Sequence, residues 1–278
     1  MTSDPKPLRF LSFGAGVQST TLLRMILAGE IEPVDHVVFA DTGWEPQAVY
    51  DHLRKVEAEC ERAAVPFHIV SAGNLRDDAL QPGRRFASVP FHVVNEKGGS
   101  GMARRQCTSE YKLKPLHKKI RELCGLAPRS RPQGIRAEIV IGISFDEWHR
   151  MNRPVFSWQR NDYPLVDRRI TRADCLAWND QRGYERPGRS ACLGCPYHSD
   201  AEWRAIKANP AEWEDVCSFD DALRSPAMHE KSLLVGDKYL HRKRIPLRLV
   251  DLRTEEERGQ GTLFDGTFGE ECQGMCGL

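Results

Sequence analysis

The sequence predicts an α/β fold in which a parallel sheet is covered by helices on both faces. Two observations predict it: short apolar runs alternate with longer segments of helical periodicity in the first half of the chain, and a glycine-rich turn follows the first run. Strands of such a sheet are buried on both faces and are therefore apolar throughout. We interpret four runs as strands: Leu8–Phe13, 36–40, Phe67–Ser71 and 139–143.

The first strand leads into a turn of small residues, Gly14-Ala15-Gly16, and then into a helix that opens at Ser19-Thr20. Backbone N–H groups at a helix N-terminus lack intrahelical partners, and the helix dipole favours an anion beside them. The turn is not a Walker A loop, because no Lys follows Gly16, and its second glycine comes too early for a dinucleotide loop. An ordinary strand-to-helix turn is the alternative. The hypothesis of a phosphate site assigns to it Ser12, Gly14, Gly16, Gln18, Ser19 and Thr20.

Two other predicted strands end in residues that suit a ligand site. Asp41-Thr42-Gly43 follows the second strand, and Gly142 and Ile143 end the run at 139–143. Ligands of open parallel sheets bind at the carboxyl ends of strands, so we expect these residues on one rim with the glycine turn. Asp41 is also typical of a turn, and Asp146 is either a magnesium ligand or a surface charge.

The helices carry recognisable start and stop signals, and the later ones cluster in the second half of the chain. We therefore predict an α/β domain over residues 1–172 and a small helical domain, or cap, over residues 173–278. The signals are Gly29 at the end of the first helix, Pro46 in the first turn of the second, the caps Thr171 and Ser199, and Asn209-Pro210 at the start of the last.

Composition excludes several classes of protein. The chain has 278 residues, and 40 Lys and Arg against 39 Asp and Glu, so no overall charge indicates a nucleic-acid-binding protein. No apolar run is long enough to span a bilayer, and the first residues lack the pattern of a secretion signal. We expect a cytoplasmic protein, in which the 9 cysteines are not disulfide-bonded.

Six of the 9 cysteines fall into two groups. Cys192 and Cys195 form a C-x-x-C motif followed by Pro196, which is typical of zinc, of an iron–sulfur cluster or of a redox pair. The cysteines on predicted helical segments are more simply interpreted as buried small hydrophobic residues: Cys60, Cys124, Cys175 and Cys217.

Basic residues recur in three places: beside the long connection 81–105, on the segment 112–119, and at 241–244. Such clusters either neutralise phosphates or form a solvated face. We expect the long connection to form a positively charged lid over the rim. The candidate substrate contacts are Arg104, Arg105, Lys112, Lys114, His241 and Arg242.

These motifs resemble those of the PP-loop, or adenine nucleotide alpha-hydrolase, superfamily. Its members include ATP pyrophosphatases, tRNA thiolation enzymes and the adenylyl-sulfate and phosphoadenylyl-sulfate reductases. The resemblance rests first on the pattern from Ser12 to Thr20, with Asp41-Thr42-Gly43 and Gly142-Ile143 at the positions that lie near the nucleotide in that family. It implies a Rossmann-like sheet and bound ATP with Mg²⁺.

The cysteines extend the resemblance to the iron–sulfur branch of the family. Cys107 ahead of Lys112-x-Lys114-Pro-Leu, with Cys192-x-x-Cys195 later, resembles the ligand layout of a 4Fe-4S cluster, and Cys272 is a candidate fourth ligand. The ending Cys276-Gly-Leu resembles the tail of the sulfonucleotide reductases, whose cysteine attacks the substrate. The chain departs from those reductases in two ways: it has Gln106-Cys107 instead of adjacent cysteines, and it lacks the final His.

The resemblance implies an ATP-dependent sulfur transferase. ATP would adenylate an acceptor, a tRNA or a DNA that receives a phosphorothioate, and sulfur from a cysteine desulfurase would pass through the cluster. A homodimer is compatible with this scheme. The alternatives are a reductase that releases sulfite and a sensing subunit without turnover. Arg168, Arg172 and Cys276 favour the reductase, whereas the missing final His and the single Cys107 count against it. The residues expected to act in catalysis are Asp41, Arg172 and Cys276, with Arg168 as a further substrate contact.

Overall fold

The computed structural model describes residues 6–81, 89–95, 97–226, 228, 236–254 and 256–258. Its strands are β1 (Leu8–Phe13), β2 (His36–Asp41), β3 (Phe67–Ser71), β4 (His92–Val94), β5 (Ser100–Met102), β6 (Ala137–Ile141), β7 (Gln159–Asp162) and β8 (Asp237–Tyr239). Its α-helices are α1 (Val17–Leu27), α2 (Gln47–Arg62), α3 (Leu75–Leu80), α4 (Lys114–Leu123), α5 (Pro164–Asp167), α6 (Arg172–Gln181), α7 (Asp200–Lys207) and α8 (Pro210–Ala222). A π-helix spans Thr108–Leu113, and 3₁₀-helices span Phe145–Arg150 and Leu247–Leu249.

The described residues group into two compact units. The first unit contains those of Met1–Gly73 and Thr108–Ser190, and the second unit those of Asn74–Cys107 and Ala191–Gly274. This division differs from the predicted boundary after residue 172, because α6 packs on α1 and β4 pairs with β8. Neither contact has a local signature in the sequence.

The first unit is built on a five-stranded sheet of order β3-β2-β1-β6-β7. All four pairings are parallel, with Phe13 opposite Phe39 in β2 and Ser12 opposite Ile141 in β6. The predicted parallel α/β fold is therefore confirmed. The fourth predicted strand was misplaced by two residues, since β6 begins at Ala137-Glu138, where the buried Glu138 pairs with Arg9.

Helices cover both faces of this sheet, as predicted. Along β1, Leu11 and Phe13 pack on the face that α1 and α2 cover, while Phe10 packs on the face covered by α4. The alternation follows from the two-residue period of a strand. Both faces of the central strand β1 are thus buried, and polar residues can be accommodated beyond its carboxyl end.

The second unit combines helices with a small sheet. The predicted capping boxes and caps are present: Ser199 accepts a hydrogen bond from the Glu202 amide, and Asn209 caps α8. A three-stranded antiparallel sheet of order β5-β4-β8 is also present, which the sequence analysis did not predict. Its strands β4 and β5 lie within the connection 81–105 that we expected to be a lid, of which residues 82–88 and 96 are outside the described residues.

No described helix has both the length and the apolar character needed to cross a bilayer.

Candidate functional site

The loop between β1 and α1 leaves a helix N-terminus open. Gly16 is the N-cap residue of α1, so no side chain caps the helix, and its first turn carries no acidic residue. The loop is held from within: the Gly14 amide donates to Ser19 Oγ at 3.3 Å, and the Ser19 hydroxyl donates to the Gly16 carbonyl at 3.2 Å. The first amides of α1 lack intrahelical acceptors, which is the arrangement that suits an anion.

This loop lies where the strand order reverses. The chain runs outward from β1 to β2 and β3 on one side, whereas β6 and β7 lie on the other. Ligands of open parallel sheets bind at such a point, outside the carboxyl ends of the strands. Ser12 is on β1 itself, two residues before the loop, and its strand position is opposite Ile141 at the end of β6.

Gly142 allows the end of β6 to approach α1 closely. A Cβ atom at Gly142 would lie 2.8 Å from Ser19 Cα and 2.9 Å from the Ser19 amide nitrogen, distances that real Cβ atoms do not show. A Cβ atom at Gly16 would meet nothing within 4 Å. One glycine is thus required by packing, and the other faces open space in which a ligand can lie.

Two helices begin together on the β6 side of the loop. Gln18 in the first turn of α1 donates to Glu147 at 3.2 Å, and the backbone amide of Arg172, the first residue of α6, donates to Asp146 at 3.1 Å. Arg150 also pairs with Glu147 at 2.6 Å. The predicted magnesium ligand Asp146 therefore binds the start of α6, and this contact puts the backbone of Arg172 beside the 3₁₀-helix that follows β6.

Asp41 shapes the loop after β2. Its Oδ1 accepts hydrogen bonds from the Gly43 amide at 2.8 Å and from the Tyr50 hydroxyl at 3.1 Å. Burial raises the pKa of Tyr50 to about 12, so this hydroxyl remains a donor. These contacts explain Asp41 as a turn-forming residue and do not support its predicted catalytic role.

The loop after β2 contains a residue that the sequence analysis missed. Glu45 is only 3% exposed, and one of its carboxylate oxygens accepts a hydrogen bond from the Thr42 hydroxyl at 2.9 Å. The ammonium of Lys112 lies 3.8 Å from the same oxygen. The available signal was an acidic residue in a loop at the carboxyl edge, four positions after Asp41. In the sequence, the neighbouring Pro46 carries the recognisable signal, that of a helix start.

Thr20 has a buried partner on α2. Its hydroxyl oxygen lies 2.9 Å from His52 Nε2, and Thr20 itself is fully buried. Burial lowers the pKa of His52, with a smaller contribution from the nearby Arg24. Thr20 thus anchors α1 to α2 and does not face a ligand, in contrast to its predicted role.

Cys192 and Cys195 form one buried turn in the second unit. The Cys195 amide donates to the Cys192 carbonyl at 3.0 Å, and His198 Nε2 lies 3.0 Å from the same carbonyl. Both cysteines are buried, and neither forms a disulfide bond in the described part of the chain. Cys107, also in the second unit, is partly buried and free.

The described residues do not complete a metal site. No three His, Cys, Asp or Glu side chains in this part of the chain are arranged to hold a metal ion, and the grouping of Cys107 with Cys192 and Cys195 stays a prediction. The predicted fourth ligand Cys272 and the predicted nucleophile Cys276 lie outside the described residues. Two adjacent thiols suit a metal or a redox pair, and alone they do not fit a four-iron cluster.

The four remaining cysteines are structural. Cys60, Cys175 and Cys217 are buried, and Cys124 is partly buried. Burial raises the pKa of the first three to about 12 and that of Cys124 to about 11. Their thiols stay protonated at neutral pH and are poor nucleophiles.

Most predicted basic contacts have other roles. Lys114 pairs with Glu110 at 2.7 Å, and Arg168 donates to the Glu30 carbonyl at 2.6 Å, beyond the carboxyl end of α1 and a helix length from the glycine loop. Lys112, also in the first unit, does contact a residue at the carboxyl edge of the sheet, since its ammonium lies 3.8 Å from Glu45 Oε1.

The basic residues of the second unit also differ from expectation. His241 is buried and lies 3.1 Å from Asp200 Oδ1, and burial lowers its pKa, so it is part of the core. Arg242 is directed to the same carboxylate at 3.4 Å. Arg105 lies over the Tyr197 ring, 5.7 Å from its centre, whereas Arg104 is exposed.

No model of a protein family matches the chain, and no curated protein matches it. Among solved structures, the chain is similar to phosphoadenylyl-sulfate (PAPS) reductase from Candida auris in a phosphate complex. The two share 17% sequence identity, the match covers 66% of this chain and 76% of that chain, and the TM-score is 0.43. At this level of similarity we base the functional assignment on the residues of this chain.

Proposed function

We propose that this chain is a PP-loop enzyme that binds ATP at the carboxyl edge of its parallel sheet, transfers AMP to an acceptor and releases pyrophosphate. The observation that carries the proposal is the close approach of Gly142 to Ser19. It joins the end of β6 to the first turn of α1, so that the uncapped glycine loop opens at the reversal of strand order. A phosphate group is the ligand that such a loop suits best.

The residues of the rim have distinct parts in the proposed reaction. Amides of the first turn of α1, beside the Gly14–Gly16 loop, bind phosphate oxygens and stabilise the charge that develops on them. An acceptor oxygen attacks the α-phosphorus, and the bond to pyrophosphate breaks. Arg172 adds positive charge from the start of α6. Mg²⁺ that enters with ATP would be held mainly by phosphate oxygens, because Asp146 is engaged by α6.

The second half of the proposed reaction transfers sulfur. A sulfur nucleophile attacks the carbon or phosphorus atom of the acceptor that carries the adenylated oxygen, the bond from that atom to the oxygen breaks, and AMP leaves with the oxygen. The thiols of Cys192 and Cys195 support a thiol-dependent step, and the donor would be a cysteine desulfurase. A 4Fe-4S cluster needs ligands beyond these two, and the described residues supply no third one beside them. The acceptor would be a tRNA or a DNA.

The test measures pyrophosphate and AMP released from ATP by the full chain, purified without oxygen, with RNA or DNA present. We expect the wild-type chain to release both products. Gly16→Ala is expected to reduce this release about tenfold or more, because the methyl group would occupy the space of a phosphate while touching no protein atom. Gly188→Ala is the matched control, since its methyl group also meets nothing within 4 Å and it lies outside the rim. We expect this control to retain activity and both variants to fold.

Three results would contradict the proposal. Sulfite released from phosphoadenylyl sulfate with a thiol reductant, without turnover of ATP, would establish the reductase alternative. Binding of ATP without turnover under any acceptor would favour the sensing role. Equal activity of Gly16→Ala and Gly188→Ala would remove the glycine loop from the reaction.

A further inference from the structure

Polar atoms without hydrogen-bond partners are buried near the carboxyl edge of the sheet. Among the described residues of the first unit they include Glu45 Oε2, after β2, and Thr108 Oγ1, on the π-helix that contacts β2. Buried polar atoms are nearly always hydrogen-bonded, and leaving one unpaired is costly. The exceptions therefore need a ligand or water to explain them.

Glu45 is half satisfied. Its Oε1 accepts from the Thr42 hydroxyl at 2.9 Å and lies 3.8 Å from the Lys112 ammonium, whereas its Oε2 has no partner. Its backbone amide donates to the Tyr50 hydroxyl at 3.3 Å, which fixes the loop. A carboxylate oxygen only accepts hydrogen bonds, so the group that Oε2 requires is a donor.

Glu45 lies in a loop that neighbours the glycine loop at the carboxyl edge of the sheet. β2 pairs directly with β1, so the loop that holds Glu45 follows the strand next to the glycine loop. On the opposite side, the contacts of Gln18 with Glu147 and of Arg172 with Asp146 join α1, the 3₁₀-helix and α6. A ligand with its phosphates on the glycine loop is therefore bounded by these contacts on the β6 side, and the loop after β2 is its neighbour on the other side.

The chemistry favours a neutral donor over a metal ion. The Lys112 ammonium already lies beside the carboxylate, and Mg²⁺ needs several oxygen ligands. No group of His, Cys, Asp and Glu in the described part of the chain provides them. Hydroxyl and amine groups of a nucleoside are neutral donors of the required kind.

We propose that Glu45 determines the specificity of the site by accepting a hydrogen bond from the nucleoside part of the bound nucleotide, either from a ribose hydroxyl or from the exocyclic amine of the base. This inference rests on the proposed function, because it needs a nucleotide with its phosphates at Gly14–Gly16. Lys112 and Thr42 position the Glu45 carboxylate and do not themselves contact the nucleoside.

The test compares dissociation constants of the full chain for ATP, 2′-deoxy-ATP, 3′-deoxy-ATP and inosine triphosphate by equilibrium dialysis. We expect the analogue that lacks the recognised donor to bind about tenfold more weakly than ATP, the effect of losing a hydrogen bond to a charged group. Loss with a deoxy analogue identifies a ribose hydroxyl, and loss with inosine triphosphate identifies the amine.

Glu45→Gln then assigns the effect to this residue. In the variant, ATP is expected to bind about tenfold more weakly, while the affinity for the weak analogue stays the same, so that the two changes are not additive. Glu57→Gln, the same change at an exposed position of α2, is the matched control and is expected to behave like the wild type.

The possible failures are distinguishable. Equal binding of all four nucleotides by the wild-type chain would overturn the inference without any variant, and so would discrimination that persists in Glu45→Gln. If adenylyl sulfate binds and ATP does not, the proposed function fails. The inference is then tested by comparing the affinity of the wild-type chain and of Glu45→Gln for adenylyl sulfate. If neither binds, both proposals are wrong.

Discussion

At the scale of single residues, Gly142 connects folding and function. Gly142→Ala is expected to lower the free energy of unfolding by about 1–3 kcal/mol, because the new Cβ atom meets backbone atoms of Ser19 that cannot rotate away. Nucleotide affinity is expected to fall with it, since relief of the contact displaces the start of α1. Chemical denaturation and equilibrium dialysis measure the two effects.

The control for this prediction is Gly188→Ala, whose methyl group meets no atom within 4 Å. It is expected to change the free energy of unfolding by less than about 0.5 kcal/mol, as exposed substitutions usually do. An equally small effect of Gly142→Ala would show that α1 can shift without cost, and it would weaken the packing argument for the site.

Residue roles were predicted unevenly, for a physical reason. The glycine loop has a local signature, because a turn of small residues between a strand and a helix is readable from adjacent positions. The roles of Asp41, Arg168 and His241 depend on partners 9, 138 and 41 positions away along the chain, so composition could not reveal them. Glu45 was missed because its burial is a property of the folded loop.

At the scale of elements, the packing of α6 on α1 depends on one buried amide. Asn179 accepts a hydrogen bond from Arg24 at 2.8 Å and donates to the Thr21 hydroxyl at 2.6 Å and to the Cys175 carbonyl at 2.8 Å. The buried Arg24 also pairs with Glu59 of α2 at 2.9 Å. Three helices on one face of the sheet are therefore linked through this cluster.

Asn179→Ala is expected to destabilise the chain by about 2–3 kcal/mol, since it removes the amide oxygen that accepts from the buried Arg24 guanidinium and the amide N–H groups that bond to Thr21 and Cys175. Asn209→Ala, which removes only the cap of α8, is expected to cost about 1 kcal/mol. Chemical denaturation of both variants tests the difference. A smaller cost for Asn179→Ala than for Asn209→Ala would mean that α6 is held mainly by its apolar contacts.

Elements were predictable where their signals are local. The parallel strands β1 and β3 were predicted with their observed bounds, and the capping boxes of α6 and α7 mark their starts in the sequence. The small sheet of the second unit was not predictable, because β4 has three residues and pairs with a strand more than 140 positions later; His92, for example, lies opposite Tyr239. Such short strands have too few residues to show a period.

At the scale of the whole molecule, the burial of several histidines makes the free energy of unfolding depend on pH in one direction. Among the described histidines with a shifted pKa, every shift is downward, and burial is its main cause; they are His36, His52, His68, His92, His117 and His241. Such a histidine is neutral in both states when the pH is above its pKa in the unfolded chain, near 6.5, and the folded state then has its full stability. As the pH falls from there toward the lower pKa of the folded state, stability is lost, because the unfolded chain binds the proton first.

His117 makes this dependence measurable. Burial lowers its pKa from 6.5 to about 4, and its Nδ1 lies 3.1 Å from the Gln159 amide nitrogen, which donates to the neutral ring. Between pH 7 and pH 5 its contribution to the free energy of unfolding is expected to fall by about 2 kcal/mol. His117→Gln should therefore lose less stability than the wild type over this range, whereas His149→Gln, at an exposed position, should follow the wild type. Denaturation curves at the two pH values decide the matter: parallel losses in His117→Gln and the wild type would mean that the ring is protonated in the folded state as readily as in the unfolded chain.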